Sequence, residues 1–248
     1  MWNLRLGVVT AVEAELCWDR PDAPEPLPHA RCAVLAERTG LVLPLGEWLL
    51  RLACGQVRWW RQRGQFDGPL AVRLTAHQAT DADLVQRIAR VLDETGFEAH
   101  QLMLSMPAGL LPDADAMDNL AVLADMGVYT VLDDFGLGPL DVAAVRSLPV
   151  SCVRLPRELV PDRSPHLTAL LPLMRQEGLA VAVDGIDSAE TARWWRDAGA
   201  TSAWATTSAR RARRRSWSSG SNRGDRAGRR RAGTAPYVGF RACQWLSA

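Results

Sequence analysis

Short apolar runs alternate with helical stretches from Leu4 to Ala205, and that alternation limits the chain to a parallel sheet flanked by helices. The pattern predicts strands at Leu4–Trp18, Leu70–Thr75, Leu102–Ser105, Val128–Leu132, Val150–Leu155, Leu179–Val183 and Ser202–Ala205. Between them, helices are expected at Ala30–Arg38, Leu45–Arg61, Asp81–Thr95, Asp115–Met126, Leu140–Ser147, Leu167–Glu177 and Ala189–Ala198. So many strands in roughly two hundred residues favour an α/β barrel of the (β/α)8 TIM type over an open sheet. Tryptophan pairs Trp59–Trp60 and Trp194–Trp195 fall on helices, so one member of each is expected in the core and the other at its rim.

One strand ends unusually. Val128–Leu132 runs into Asp133–Asp134–Phe135–Gly136–Leu137–Gly138, two adjacent carboxylates before a Gly-x-Gly turn. Charge and glycine at the carboxyl end of a strand mark the edge where α/β proteins build their sites. Side chains alternate along a strand, so both acids share a site only where the strand breaks into a loop. Such a pair suggests a divalent cation held by oxygen ligands, or a polar strand end with no ligand at all. Histidines His77, His100 and His166 lack ligand spacing and read as surface residues, and His29 as a solvated helix start.

The pattern stops at residue 208. Residues 1–208 form the expected barrel domain, and 209–248 an arginine-rich, low-complexity tail expected to be disordered. All 29 basic side chains are arginines, so no lysine is present to act as a base with a lowered pKa. From Arg210 onward eleven arginines face the single acid Asp225, leaving the rest of the chain at −9 within an overall +1. Such a tail reads either as an arm for nucleic acid or acidic surfaces, or as a GC-rich gene translated in a shifted frame. Five cysteines with no C-x-x-C spacing fit reduced core residues in the cytoplasm, and no segment reads as a signal peptide or membrane span.

Several stretches together resemble one family. Val12–Glu13–Ala14–Glu15–Leu16–Cys17–Trp18 is similar to the signature of the EAL domain, the bacterial cyclic di-GMP phosphodiesterase fold, with Glu15 where the signature has leucine. Leu35–Ala36–Glu37–Arg38–Thr39–Gly40–Leu41 and Pro44–Leu45–Gly46–Glu47–Trp48 resemble its next block, Asp133–Asp134–Phe135–Gly136 its metal segment, and Val183–Asp184–Gly185–Ile186–Asp187 its Glu-Gly-Val-Glu block. The resemblance implies a barrel with two Mg²⁺ or Mn²⁺ ions at the carboxyl ends of its strands, activating water to cut one phosphodiester of cyclic di-GMP. At both ends the chain departs from the family pattern, so an incomplete barrel with unpaired edges is expected.

Carried over residue by residue, the resemblance leaves little of the catalytic set. Glu13, Asp133 and Asp134 match metal positions, as vestiges. Arg73 stands at the asparagine ligand, Met103 and Met106 at two glutamates, Arg154 at the catalytic lysine and Pro156 at a following aspartate. Asp184 and Asp187 are shortened glutamates, Trp204 lies near the late glutamine, and Cys17 replaces the substrate-binding arginine. Thioethers bind Mg²⁺ poorly, and an arginine adds positive charge where a metal belongs. Degenerate site positions are thus Arg73, Met103, Met106, Arg154, Asp184 and Asp187, with Arg154, Asp134 and Arg157 as ligand contacts.

The resemblance therefore implies a degenerate, inactive EAL domain with a regulatory or binding role in cyclic di-GMP signalling and no required cofactor. A weak phosphodiesterase using Mg²⁺ or Mn²⁺, or a truncated, frame-shifted product, are the alternatives. Cyclic di-GMP, a protein partner or a second copy of the chain are the partners it implies. Arg73 is the residue of most interest: it either bridges Glu13 and Asp133 in place of a metal or points outward.

Overall fold

The computed structural model describes residues 1–20, 25–137, 149–161, 165–205 and 236–241. Seven parallel strands carry the fold in chain order: β3 (Val12–Trp18), β4 (Leu70–Arg73), β5 (Leu102–Pro107), β6 (Tyr129–Asp133), β7 (Cys152–Leu155), β8 (Ala180–Ile186) and β9 (Ser202–Ala205). These are the seven strands the alternation predicts. A hairpin of β1 (Trp2–Asn3) and β2 (Val8–Val9) precedes them, and β1 runs antiparallel to β9. The sheet curls through 227° without closing, giving the incomplete barrel expected of this pattern.

Two expectations change at the ends. The single strand expected over Leu4–Trp18 breaks at positive-φ Gly7, whose turn folds β2 back on β1. At the other edge, Pro236–Arg241 form β10, antiparallel to β3 with Arg241 opposite Glu13. Six residues of the segment expected to be tail are therefore strand, and they cover the β3 edge. The rest of 209–248 lies outside the described residues, as does the helix expected at Leu140–Ser147.

Helices α1 (His29–Arg38), α2 (Val42–Gln62), α3 (Ala76–Ala79) and α4 (Leu84–Thr95) pack on one side of the sheet's outer face. α5 (Ala114–Asp125), α6 (Pro165–Gln176) and α7 (Ala189–Ala198) follow. α2 starts three residues ahead of its expected start because Pro44 falls in the first turn, where the missing N–H costs nothing. The periodicity does not predict α3; Thr75 and Gln78 close a reciprocal capping box around its first turn.

Strand periodicity sorts the core into three parts. Val12, Leu70, Val72, Leu102 and Leu104 face α1, α2 and α4. Met106, Leu132, Val153, Val181 and Val183 face the later helices, where Trp195 is fully buried. Inside the barrel, Ala71, Val131, Cys152, Ala182 and Trp204 form an apolar floor. The next inward positions up each strand are Glu13, Arg73, Ser105, Asp133, Arg154 and Asp184.

Candidate functional site: two arginines among three carboxylates

Above the apolar floor the inward side chains are almost all charged. Glu13, Asp133, Arg154 and Asp184 are at most 9% exposed, so each charge depends on a partner rather than on water. Arg73, on β4, supplies one partner to three strands at once. Its Nε donates to Glu13 Oε1 at 3.0 Å, its Nη2 donates to Asp184 Oδ2 at 3.0 Å, and its Nη1 lies 3.2 Å from Asp133 Oδ2. The expected bridge between two carboxylates is thus a bridge among three.

Arg154, on β7, approaches from the other side. Its Nε and Nη2 grip Asp133 in a two-pronged pair at 2.7 and 2.5 Å, and its Nη1 donates to Glu13 Oε1 at 2.9 Å. Nη2 also donates to Ser105 Oγ at 3.1 Å, and the guanidinium carbon sits 5.4 Å from the Trp204 ring centre. Burial disfavours the charge on both arginines, but the surrounding carboxylates more than offset it and hold both pKa values above the ordinary arginine value. With all five groups ionised the centre carries −1.

Local backbone fixes the acids. Asp133 Oδ1 accepts the Asp134 N–H at 3.1 Å, and the Phe135 N–H donates to the Arg154 carbonyl, tying the Asp-Asp turn to β7. Asp184 Oδ1 accepts the Gly185 N–H where Gly185 takes φ +81° and the β8–β9 register shifts. Asp134 itself adopts φ +56°, a left-handed conformation uncommon for any residue but glycine. Its side chain turns out to solvent, with its pKa raised by lost hydration and by Asp133.

Other expected site residues are not brought in. Met106 is buried on the helix side of β5 against Leu132 and Val153, one position off the inward register. Met103 does point inward, but to the apolar floor beneath the charges. Asp187 is exposed past the end of β8, and Arg157 is exposed after β7. Arg154, expected to meet a ligand phosphate, is 2% exposed with all three nitrogens on protein oxygens. His29 is half-buried, not solvated: its Nδ1 accepts the Leu16 N–H at 3.0 Å, and burial lowers its pKa.

Sequence reasoning missed Ser105. Strand alternation could have found it, because a residue two positions beyond an inward Met103 must also point inward.

The donors present do not fit the divalent pair that the family resemblance implies. The facing oxygens of Glu13, Asp133 and Asp184 are engaged by guanidinium nitrogens, so a divalent ion would have to sit beside two fixed cations. Among the described residues no three His, Cys, Asp or Glu side chains converge in a way that holds a metal ion.

A curled parallel sheet whose inward carboxylates gather at its strand ends defines a TIM-like barrel with its site at the carboxyl face. The chain belongs to the EAL domain family, whose profile matches residues 1–203. It is 32% identical over 190 residues to the bifunctional diguanylate cyclase/cyclic di-GMP phosphodiesterase MucR of Pseudomonas aeruginosa, covering 73% of this chain and 28% of that protein. An uncharacterised protein of Sinorhizobium fredii is 30% identical over 193 residues, covering 75% of this chain and 23% of its own length. The chain thus spans about a quarter of these relatives. The MucR phosphodiesterase solved with cyclic di-GMP superposes with a TM-score of 0.76 at 28% identity, over 82% of this chain and 85% of that one.

Proposed function

We propose that this chain is a non-hydrolytic EAL domain serving a regulatory or binding role in cyclic di-GMP signalling. The observation that carries this reading is the engagement of Glu13, Asp133 and Asp184 by Arg73 and Arg154. Water activation by metal needs carboxylate oxygens open to the ion, and here Glu13 Oε1, both oxygens of Asp133 and Asp184 Oδ2 already hold guanidiniums. Arginine at position 154 keeps its proton throughout the accessible pH range, so it supplies no base. Likeness to the MucR phosphodiesterase solved with cyclic di-GMP supports the dinucleotide as the ligand to test. Exposure of Asp134 after β6 and of Arg157 after β7 supports reading both as contacts for it. The domain is read as working in the cytoplasm, where buried thiols stay reduced.

Calorimetric titration of the full chain with cyclic di-GMP, in EDTA and in Mn²⁺, tests this beside a chromatographic assay for the linear dinucleotide. Binding that EDTA leaves unchanged, with no linear product, is the expected result. Metal-dependent turnover at micromolar enzyme would overturn the proposal. Neither binding nor turnover would remove the dinucleotide from it.

A further inference from the structure

We infer that the edge of β3 is a docking site for an extended strand, and that β10 is its occupant in cis, an exchangeable strap rather than a stave of the barrel. The family profile ends at residue 203, so β10 lies outside the unit that defines the domain. It stands at one end of the sheet order, with β3 as its ladder partner. A proline opens it and Gly239 sits inside it, residues that suit a weakly held edge strand.

The backbone of β3 is arranged to take such a strand. The N–H groups of Val12, Leu16 and Trp18 donate to the Pro69 carbonyl, His29 Nδ1 and the Leu27 carbonyl, on the side away from β10. Alternation then turns the N–H and C=O groups of Glu13, Glu15 and Cys17 toward β10, where the register sets Arg241, Gly239 and Tyr237 opposite them. β4 pairs with β3 only over Val12, Glu13 and Ala14, so from Glu15 to Cys17 the ladder partner among the described residues is β10 alone. The edge therefore recognises an extended antiparallel segment through its main chain, and the segment that fits this register is the chain's own 236–241. What docks there reaches the charged centre, because β3 carries Glu13, whose Oε1 accepts from both Arg73 and Arg154. A chain of the length of 206–235 keeps a tethered strand at an effective concentration on the order of millimolar. The same segment offered in trans competes poorly until the strap is weakened.

This inference is independent of whether the domain binds a dinucleotide. A fluorescein-labelled peptide of residues 234–242, titrated into the full chain and read by anisotropy, tests it beside two full-length variants. Gly239→Pro removes the N–H that faces Glu15. That chain should fold and bind the peptide at least about tenfold more tightly than wild type, as its own strap lets go. Tyr237→Cys sets a second thiol opposite Cys17, at the Cα separation of about 5.5 Å that a directly opposed pair gives and a disulfide accepts. Oxidised, it should run as a monomer with positions 17 and 237 linked in the peptide map, and bind no peptide; reduction should restore wild-type binding. A peptide carrying Gly239→Pro should bind none of the three chains. A Gly239→Pro chain that fails to fold would overturn the inference, since β10 would then be part of the barrel. So would the absence of a link between positions 17 and 237, a peptide that binds the locked chain as well as the open one, or a Gly239→Pro chain that binds no peptide.

Discussion

Asp134 shows how a single residue bears the strain of the site. It takes a left-handed backbone at φ +56°, directly after a carboxylate that two arginines hold in place. Lost hydration and Asp133 raise its pKa, with Arg73 and Arg154 pulling the other way. A carboxyl whose folded pKa is raised binds its proton more tightly in the folded state. Its favourable contribution is present at low pH and lost as pH rises through the raised value. At neutral pH the ionised group is therefore a liability, discounted for its exposure. Asn keeps the local hydrogen bonding and tolerates this backbone. Asp134→Asn should raise the melting temperature by about 1–2 °C near neutrality and leave it unchanged near pH 3, read by calorimetry across pH. A gain equal at both pH values would show that charge is not the cause.

At the scale of elements, the long helix α2 carries two glycines with opposite meanings. Gly55 is exposed, and a Cβ there meets nothing within 4 Å. Gly46 faces Gln78, whose Nε2 would lie 1.8 Å from a new Cβ. That amide is not free to swing away: its Oε1 accepts the Thr75 N–H at 2.9 Å, and its Nε2 donates to the Val42 carbonyl at 3.2 Å. Gly46 is thus the opening through which the capping box of α3 fastens onto the first turn of α2. Gly55→Ala should stabilise by about 0.5–1 kcal/mol, the ordinary gain of alanine in a helix. Gly46→Ala should show none of that gain, because it displaces the Gln78 bonds; chemical denaturation of the two variants side by side makes the comparison.

Across the molecule, periodicity made the seven parallel strands legible, since alternation and helical spacing are local properties of the chain. The charge chemistry at positions 73, 133 and 184 was legible through the family resemblance. What was not legible came from pairing over long sequence separations. Tyr237, Val238 and Phe240 are strand formers, but nothing in so short a run shows that it pairs with β3, more than two hundred residues earlier. Ser105 and Trp204 show their role only once β5 and β9 bring them beside Arg154. Motif position makes Met106 a site residue, whereas strand parity sends it to the helix side.

The apolar floor beneath the charges also makes the barrel a chemical clock. Cys152 sits in that floor and Cys54 on the buried face of α2, both with thiols that burial pushes up to about 12. At neutral pH roughly one thiol in 10⁵ is then the reactive thiolate, and a reagent reaches either sulfur only when its surroundings part. The two sulfurs report different openings, one of strands β6 to β8 and the other of the helix layer. Timed alkylation with peptide mapping reads each separately, without a label or a mutation in the sheet. In Arg73→Ala, Cys152 should react at least about tenfold faster while Cys54 keeps closer to its wild-type rate. Equal acceleration at both would mean that the molecule opens only as a whole, and that the charged layer does not hold its own strands shut.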